Sequence, residues 1–169
     1  MTSTPPKTPV ALTPLQPNEA TAVVMVGEHR GIGLHNLLWI LRTFPNHFKN
    51  FIFVSVGIVD VESFSAKKEL TTMQENTNEM LDYFVNYCQQ QGLAAKGFAA
   101  YGTDPTEKLT RLSKKIIKEF PHSLFFASKL IFSKDNWITR LLHNETAVML
   151  QRRLHLLGVQ LVILPMKID

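Results

Sequence analysis

The chain has 169 residues and 19.2 kDa, 45% apolar and 19% charged, enough for one globular domain burying roughly 70% of its unfolded surface, which excludes a wholly disordered chain. Its net charge of +4 is uneven, −2 over residues 1–84 and +6 over residues 85–169, a bias that suits an anionic partner and is also met on ordinary domains. A single cysteine, Cys88, excludes an intrachain disulfide and makes a reducing compartment the expectation; every apolar run breaks before 18 residues, and no signal peptide is legible.

Residues 1–18 hold five of the nine prolines and are expected to form a disordered tail or linker, with the folded domain spanning 19–169. Thr21–Val26 is a β-branched run that predicts a buried strand, followed by a turn punctuated by Gly27, Gly31 and Gly33. Leu34, Leu37, Leu38 and Leu41 recur at helical spacing until Pro45, and Phe51–Gly57 predicts the second strand. A long amphipathic segment then places Leu70, Met73, Thr77, Met80, Leu81, Phe84 and Cys88 on one stripe and stops near Gly92. Leu93–Tyr101 is a weaker third strand. Asp104, Pro105 and Glu107 announce a helix by a side-chain cap, a first-position proline and an early acid. In that helix Leu109, Leu112, Ile116 and Phe120 are expected inward, and Lys108, Arg111, Lys114, Lys115 and Lys118 largely outward, as a solvated basic face or a docking surface. Ser123–Ser128 is the fourth strand, Glu145–Leu157 a helix closed by Gly158, and Val159–Leu164 a fifth strand ending before Pro165. Five strands alternating with four helices predict a doubly wound, mostly parallel α/β sandwich.

In such a sheet a ligand sits beyond the carboxyl ends of the strands, where the strand order reverses. Two loops are candidates. Gly27–Gly33 (GEHRGIG) fits two readings, a turn that simply needs glycine and a loop that brings backbone N–H groups, His29 and Arg30 to an anion; its GxxxGxG spacing matches neither the dinucleotide nor the lysine-bearing phosphate motif. Lys129–Asn144 is long and basic, and Asn144 either caps the next helix or faces the crevice. The candidate ligand-binding set is therefore Gly27, Glu28, Arg30 and Gly31 with Lys129, Ser133, Lys134 and Asn144. The six histidines are scattered singly, so no metal site is expected, and no nucleophile with a base or carboxylate pair points to catalysis. Interleaved aromatics for nucleic acid are missing too.

The stretch LFFASKLIF…TRLLHNETAVMLQRRLHLLGVQLVILPMKI, with Gly102-Thr103-Asp104-Pro105 at a helix start, resembles the universal stress protein-like domains over about residues 20–168. More narrowly, GLHNLLWILRTFPNHFKNFIFVSVGIVD and LLHNETAVMLQRRL followed by VILPMKI are similar to the cytoplasmic domain at the C-terminal end of bacterial amino acid–polyamine–organocation permeases. The resemblance implies strand order 3-2-1-4-5 and a homodimer through the last strand, with Val159, Leu161 and Ile163 at its edge. Nucleotide-binding members carry Gly-x2-Gly-x9-Gly-Ser/Thr after the fourth strand, where this chain has Leu130, Ser133, His143 and Asn144, and Val26-Gly27-Glu28 stands where they use an aspartate. The resemblance thus implies a non-catalytic regulatory or accessory domain of an amino acid or cation permease, cytoplasmic at the inner face of the bacterial inner membrane. No cofactor, metal or nucleic acid is expected. The alternative is a freestanding nucleotide-binding module with a diverged phosphate loop, for which an adenine nucleotide is the ligand.

Overall fold

Apolar runs and helical segments alternate along the chain as expected, and the computed structural model describes residues 12–27, 29–59, 66–130 and 145–166. The strands are β1 (Thr21–Met25), β2 (Asn50–Ile58), β3 (Ala94–Gly102), β4 (Ser123–Leu130) and β5 (Leu161–Met166). Between them lie α1 (Arg30–Thr43), α2 (Ala66–Gln90), α3 (Pro105–Glu119) and α4 (Glu145–Leu156). All pairings are parallel in the order β3-β2-β1-β4-β5, the order expected above.

Alternation along each strand divides the core between two faces. Val23, Met25, Ile52 and Val54 meet Leu109 and Ile116 of α3 and Leu150 and Leu154 of α4. Ala22, Val24, Phe51 and Phe53 meet Leu37 and Ile40 of α1 and Phe84 and Cys88 of α2. Cys88 is therefore a core residue, as its place on the apolar stripe predicts.

The helix ends follow the residues that signalled them. Asp104 Oδ1 accepts from Thr106 N (3.0 Å) and Glu107 N (3.4 Å), with Pro105 opening α3. α1 and α3 each stop at a phenylalanine, Phe44 and Phe120, whose N–H donates to the carbonyl four residues back, immediately before Pro45 and Pro121. Gly92 (φ +75°) and Gly158 (φ +85°) close α2 and α4 in the same way. Leu93 N donates to Cys88 O and Val159 N to Leu154 O, while each glycine N–H reaches the carbonyl three residues back.

Three expectations shift. Val159 does not open β5, because its N–H completes the cap of α4 and its side chain is buried beside Leu154. β5 begins at Leu161 and runs through Pro165, which an edge strand tolerates because a residue there has one side without a ladder to donate to. Contacts also start ahead of Ala20. Buried Asn50 clamps the main chain of Gln16, its Oδ1 accepting from Gln16 N (2.7 Å) and its Nδ2 donating to Gln16 O (2.6 Å) and to Thr21 Oγ1 (2.9 Å). Gln89 accepts from Thr13 N (2.8 Å), and Leu15 packs on the core, so residues 13–16 are strapped across the amino ends of the strands.

Candidate functional site

The order β3-β2-β1-β4-β5 reverses between β1 and β4, so the crevice lies where those two strands end. Thr21 pairs with Ser123 and Val24 with Phe126, an offset that sets Ser128 level with Val26 at the mouth of the loop after β1. That loop is shorter than the sequence suggested. Residues 26–29 connect β1 to α1, and Arg30 already opens the helix, so Gly31 and Gly33 are helical residues and not a phosphate-wrapping loop.

The two helical glycines do different things. A Cβ on Gly33 would collide with the tip of the Phe84 ring, which is itself stacked on Phe53 with centroids 5.1 Å apart, so Gly33 is where α2 approaches α1. At Gly31 a Cβ would meet no atom of the described residues within 4 Å. Packing explains the first and gives no reason for the second.

α1 begins without a side-chain cap. His29 occupies the N-cap in an extended conformation (φ −93°, ψ 98°), its side chain makes no capping bond, and the first turn has no acid. Its carbonyl is used by Ile32 N (3.2 Å) and Gly33 N (3.4 Å). The positive end of the helix dipole and the first N–H groups therefore face the crevice with no side-chain cap from His29 and no acid in the first turn of the helix.

Arg30, expected to supply charge, instead lays its guanidinium over the Tyr83 ring of α2, 5.0 Å from the centroid. It stays solvent-exposed and cationic, held toward α2. Gly27 is half-buried at the end of β1. Lys129 lies in β4, its backbone paired in register with Pro165. Glu28, Ser133, Lys134 and Asn144 lie outside the described residues. The structure thus brings Gly27, Arg30 and Gly31 to one side of the crevice and β4, with Lys129, to the other. At the last strand, Val159 and Leu161 are buried in the core and Ile163 is half-buried against it, so these side chains serve α3 and α4, while β5 remains the sheet edge.

The sequence reading missed Asn36. Leu34, Leu37, Leu38 and Leu41 recur at helical spacing, and the fully buried stripe of α1 is Gly33, Asn36, Leu37 and Ile40, with Leu34 and Leu41 partly buried against the core and Leu38 40% exposed. Asn36 Nδ2 donates to Ser128 Oγ, tying α1 to the end of β4 beneath the crevice, and its Oδ1 is buried with no partner among the described residues. An apolar-periodicity argument has no means of placing a buried amide. Cys88, by contrast, has its thiol pushed up from 9.0 to about 12 by burial, which leaves it an inert core group. Among the described residues no group of three His, Cys, Asp or Glu could hold a metal ion.

No known family signature matches the chain, and no curated protein matches it in sequence. In structure the chain is similar to a universal stress protein family protein from Arabidopsis thaliana crystallised with AMP bound, at 13% identity and a TM-score of 0.56, covering 89% of this chain and 94% of that one. The fold is that of a universal stress protein. Within the universal stress protein fold, the switch-point crevice is built here from an uncapped helix start, a cation held on a tyrosine, and a floor of Asn36 and Ser128. No helix among the described residues is long and apolar enough to cross a membrane.

Proposed function

We propose that the chain is a non-catalytic regulatory or accessory module of the universal stress protein type that serves an amino acid or cation permease at the inner face of a bacterial inner membrane. The universal stress protein fold carries this reading, together with the permease-like stretches at α1–β2 and at α4–β5. The one cysteine supports the non-catalytic part, since a thiol pushed up to about 12 supplies no nucleophile at neutral pH. A homodimer along β5 fits its place at the sheet edge, formed through the outer backbone row because Val159 and Leu161 are already enclosed. The test is uptake of a panel of labelled amino acids and cations by source cells with and without the coding sequence. Altered uptake of at least one substrate is expected. Unchanged uptake across the panel removes the transport role.

A second reading is favoured by the open start of α1. N–H groups at a helix start with no side-chain cap and no acid in its first turn suit a phosphate, and the structural neighbour was solved with AMP. In this reading the chain is a freestanding module that takes an adenine nucleotide between Gly27–Gly31 and the end of β4, with Arg30 leaving Tyr83 to meet it. Thermal unfolding with AMP, ADP and ATP separates the two. A ligand at about 100 times its Kd adds roughly 2.7 kcal/mol, which raises the midpoint by several degrees. No shift with any of the three leaves the partner-binding role.

A further inference from the structure

The two helical layers differ in charge. α3 carries five cations against two carboxylates, and α4 carries two arginines against one carboxylate, a surplus of four positive charges on that layer. On the opposite layer α1 has two arginines, and α2 has two lysines against four carboxylates, so the charges cancel.

Because Leu109 and Ile116 of α3 and Leu150 and Leu154 of α4 point into the core, the opposite stripes face away from the sheet. On α3 the outward stripe holds Arg111, Lys114, Lys115 and Lys118, all exposed. Arg111 pairs with Glu107 (3.0 Å) and Glu119 lies 3.9 Å from Lys96. Lys114 and Lys118 have no carboxylate partner among the described residues.

The stripe on α4 is different in kind. Met149, Arg152, Arg153 and Leu156 follow at i, i+3, i+4 and i+7, so two large apolar side chains bracket two guanidiniums on one exposed face. Met149 is 51% exposed and Leu156 82%, two of the four exposed large apolar side chains among the described residues, set one on each side of the arginine pair. Cations beside exposed apolar groups are what the headgroup region of an anionic bilayer takes up, the guanidiniums on phosphates and the apolar tips at the acyl boundary. Nucleic acid would use the cations and leave Met149 and Leu156 idle.

We propose that the outer face of α3 and α4 lies on the surface of an anionic lipid bilayer, with Met149 and Leu156 entering the interface between the arginines and the lysines of α3. This surface is separate from the crevice and requires neither a permease nor a nucleotide. The experiment is co-sedimentation of the full chain with vesicles of phosphatidylcholine alone and of phosphatidylcholine with a third phosphatidylglycerol, at low and high salt. Binding to the anionic vesicles only, lost at high salt, is expected. A basic residue near such a surface multiplies partition by roughly fivefold, so Arg152→Gln/Arg153→Gln and, independently, Lys114→Gln/Lys118→Gln should each weaken binding about 25-fold. Met149→Ser/Leu156→Ser should weaken it without changing the salt dependence. An unchanged thermal midpoint confirms that each variant is folded, and the α3 pair decides the matter if the α4 pair is not. Absence of binding to anionic vesicles at low salt, equal binding to neutral vesicles, or full binding by folded charge variants overturns the proposal. So does a switch of the same residue dependence to duplex DNA or to self-association.

Discussion

Gly31 and Gly33 are two residues apart on α1, and alanine should act on them with opposite signs. In a helix, alanine is favoured over glycine by about 1 kcal/mol, and less in the first turn. At Gly31 nothing among the described residues lies within 4 Å of the new methyl, so Gly31→Ala should stabilise by about 0.4–1 kcal/mol, a rise of roughly 1–4 °C for a domain of this size. At Gly33 the methyl meets the Phe84 ring, which cannot turn aside because Phe53 is stacked on it and Tyr83 meets it edge-on at 5.2 Å. Against a ring held on two sides overpacking falls in the upper part of its range, about 2–3 kcal/mol, so that after the propensity gain about 1–2 kcal/mol is lost and the midpoint falls by roughly 2–8 °C. Thermal unfolding followed by far-UV circular dichroism reads both. If Gly33→Ala is as stable as the parent, the close approach of α1 and α2 is not what requires a glycine there. Because packing leaves Gly31 unexplained, Gly31→Ala also reports on the crevice: a variant that is more stable yet loses a nucleotide-induced shift would locate the ligand at the start of α1.

Asn50→Ala removes the partners of Gln16 N, Gln16 O and Thr21 Oγ1, and should lower stability by about 2–3 kcal/mol; hydrogen exchange at the Gln16 amide should speed up more than exchange in β1, and equal protection in both proteins would refute the strap. Ser128→Ala leaves Asn36 with both ends of its buried amide unpaired and should cost about 1–3 kcal/mol, whereas Asn36→Leu/Ser128→Ala, which removes both polar groups, should recover most of that in denaturant titration. Recovery of stability without recovery of function would mark the pair as part of the site. For Cys88 the folded thiol holds its proton to about 12 and the unfolded one to 9.0, so its contribution is intact below pH 9 and falls by up to about 1.4 kcal/mol per pH unit between pH 9 and 12. The difference in stability between the parent and Cys88→Ala should shrink over that window, and a constant difference would contradict the burial.

The fold was legible because its signals are local and redundant. Asp104-Pro105 fixes the start of α3, Gly92 and Gly158 fix the ends of α2 and α4, and Pro45 and Pro121 stop α1 and α3, each through one residue's backbone preferences. What failed did so where a tertiary partner decides. Val159 reads as a strand residue until the glycine before it turns the chain and commits its N–H to α4. The prolines of residues 13–18 read as solvated until Asn50 and Gln89, distant in sequence, supply amides that imitate a strand partner. The buried stripe of α1 depends on Gly33 admitting Phe84 and Asn36 reaching Ser128, neither visible to a pattern of leucines.

The crevice was legible in place but not in composition, and the reason bears on what it can bind. Topology alone puts it between β1 and β4, whatever residues stand there. The glycine motif and aspartate that the resemblance leads one to look for would have pointed to a ligand through side-chain and turn geometry, and this chain has Leu130, Ser133, His143 and Asn144 at the first and Val26-Gly27-Glu28 in place of the second. Among the described residues, what meets an anion there is chiefly backbone: the N–H groups of an α1 that starts without a side-chain cap, which no motif encodes. Such a site attracts negative charge with little regard to what bears it. Selectivity would have to come from Arg30 leaving Tyr83, so Tyr83→Leu, which frees the guanidinium without removing it, should tighten any phosphate ligand where Arg30→Ala weakens it.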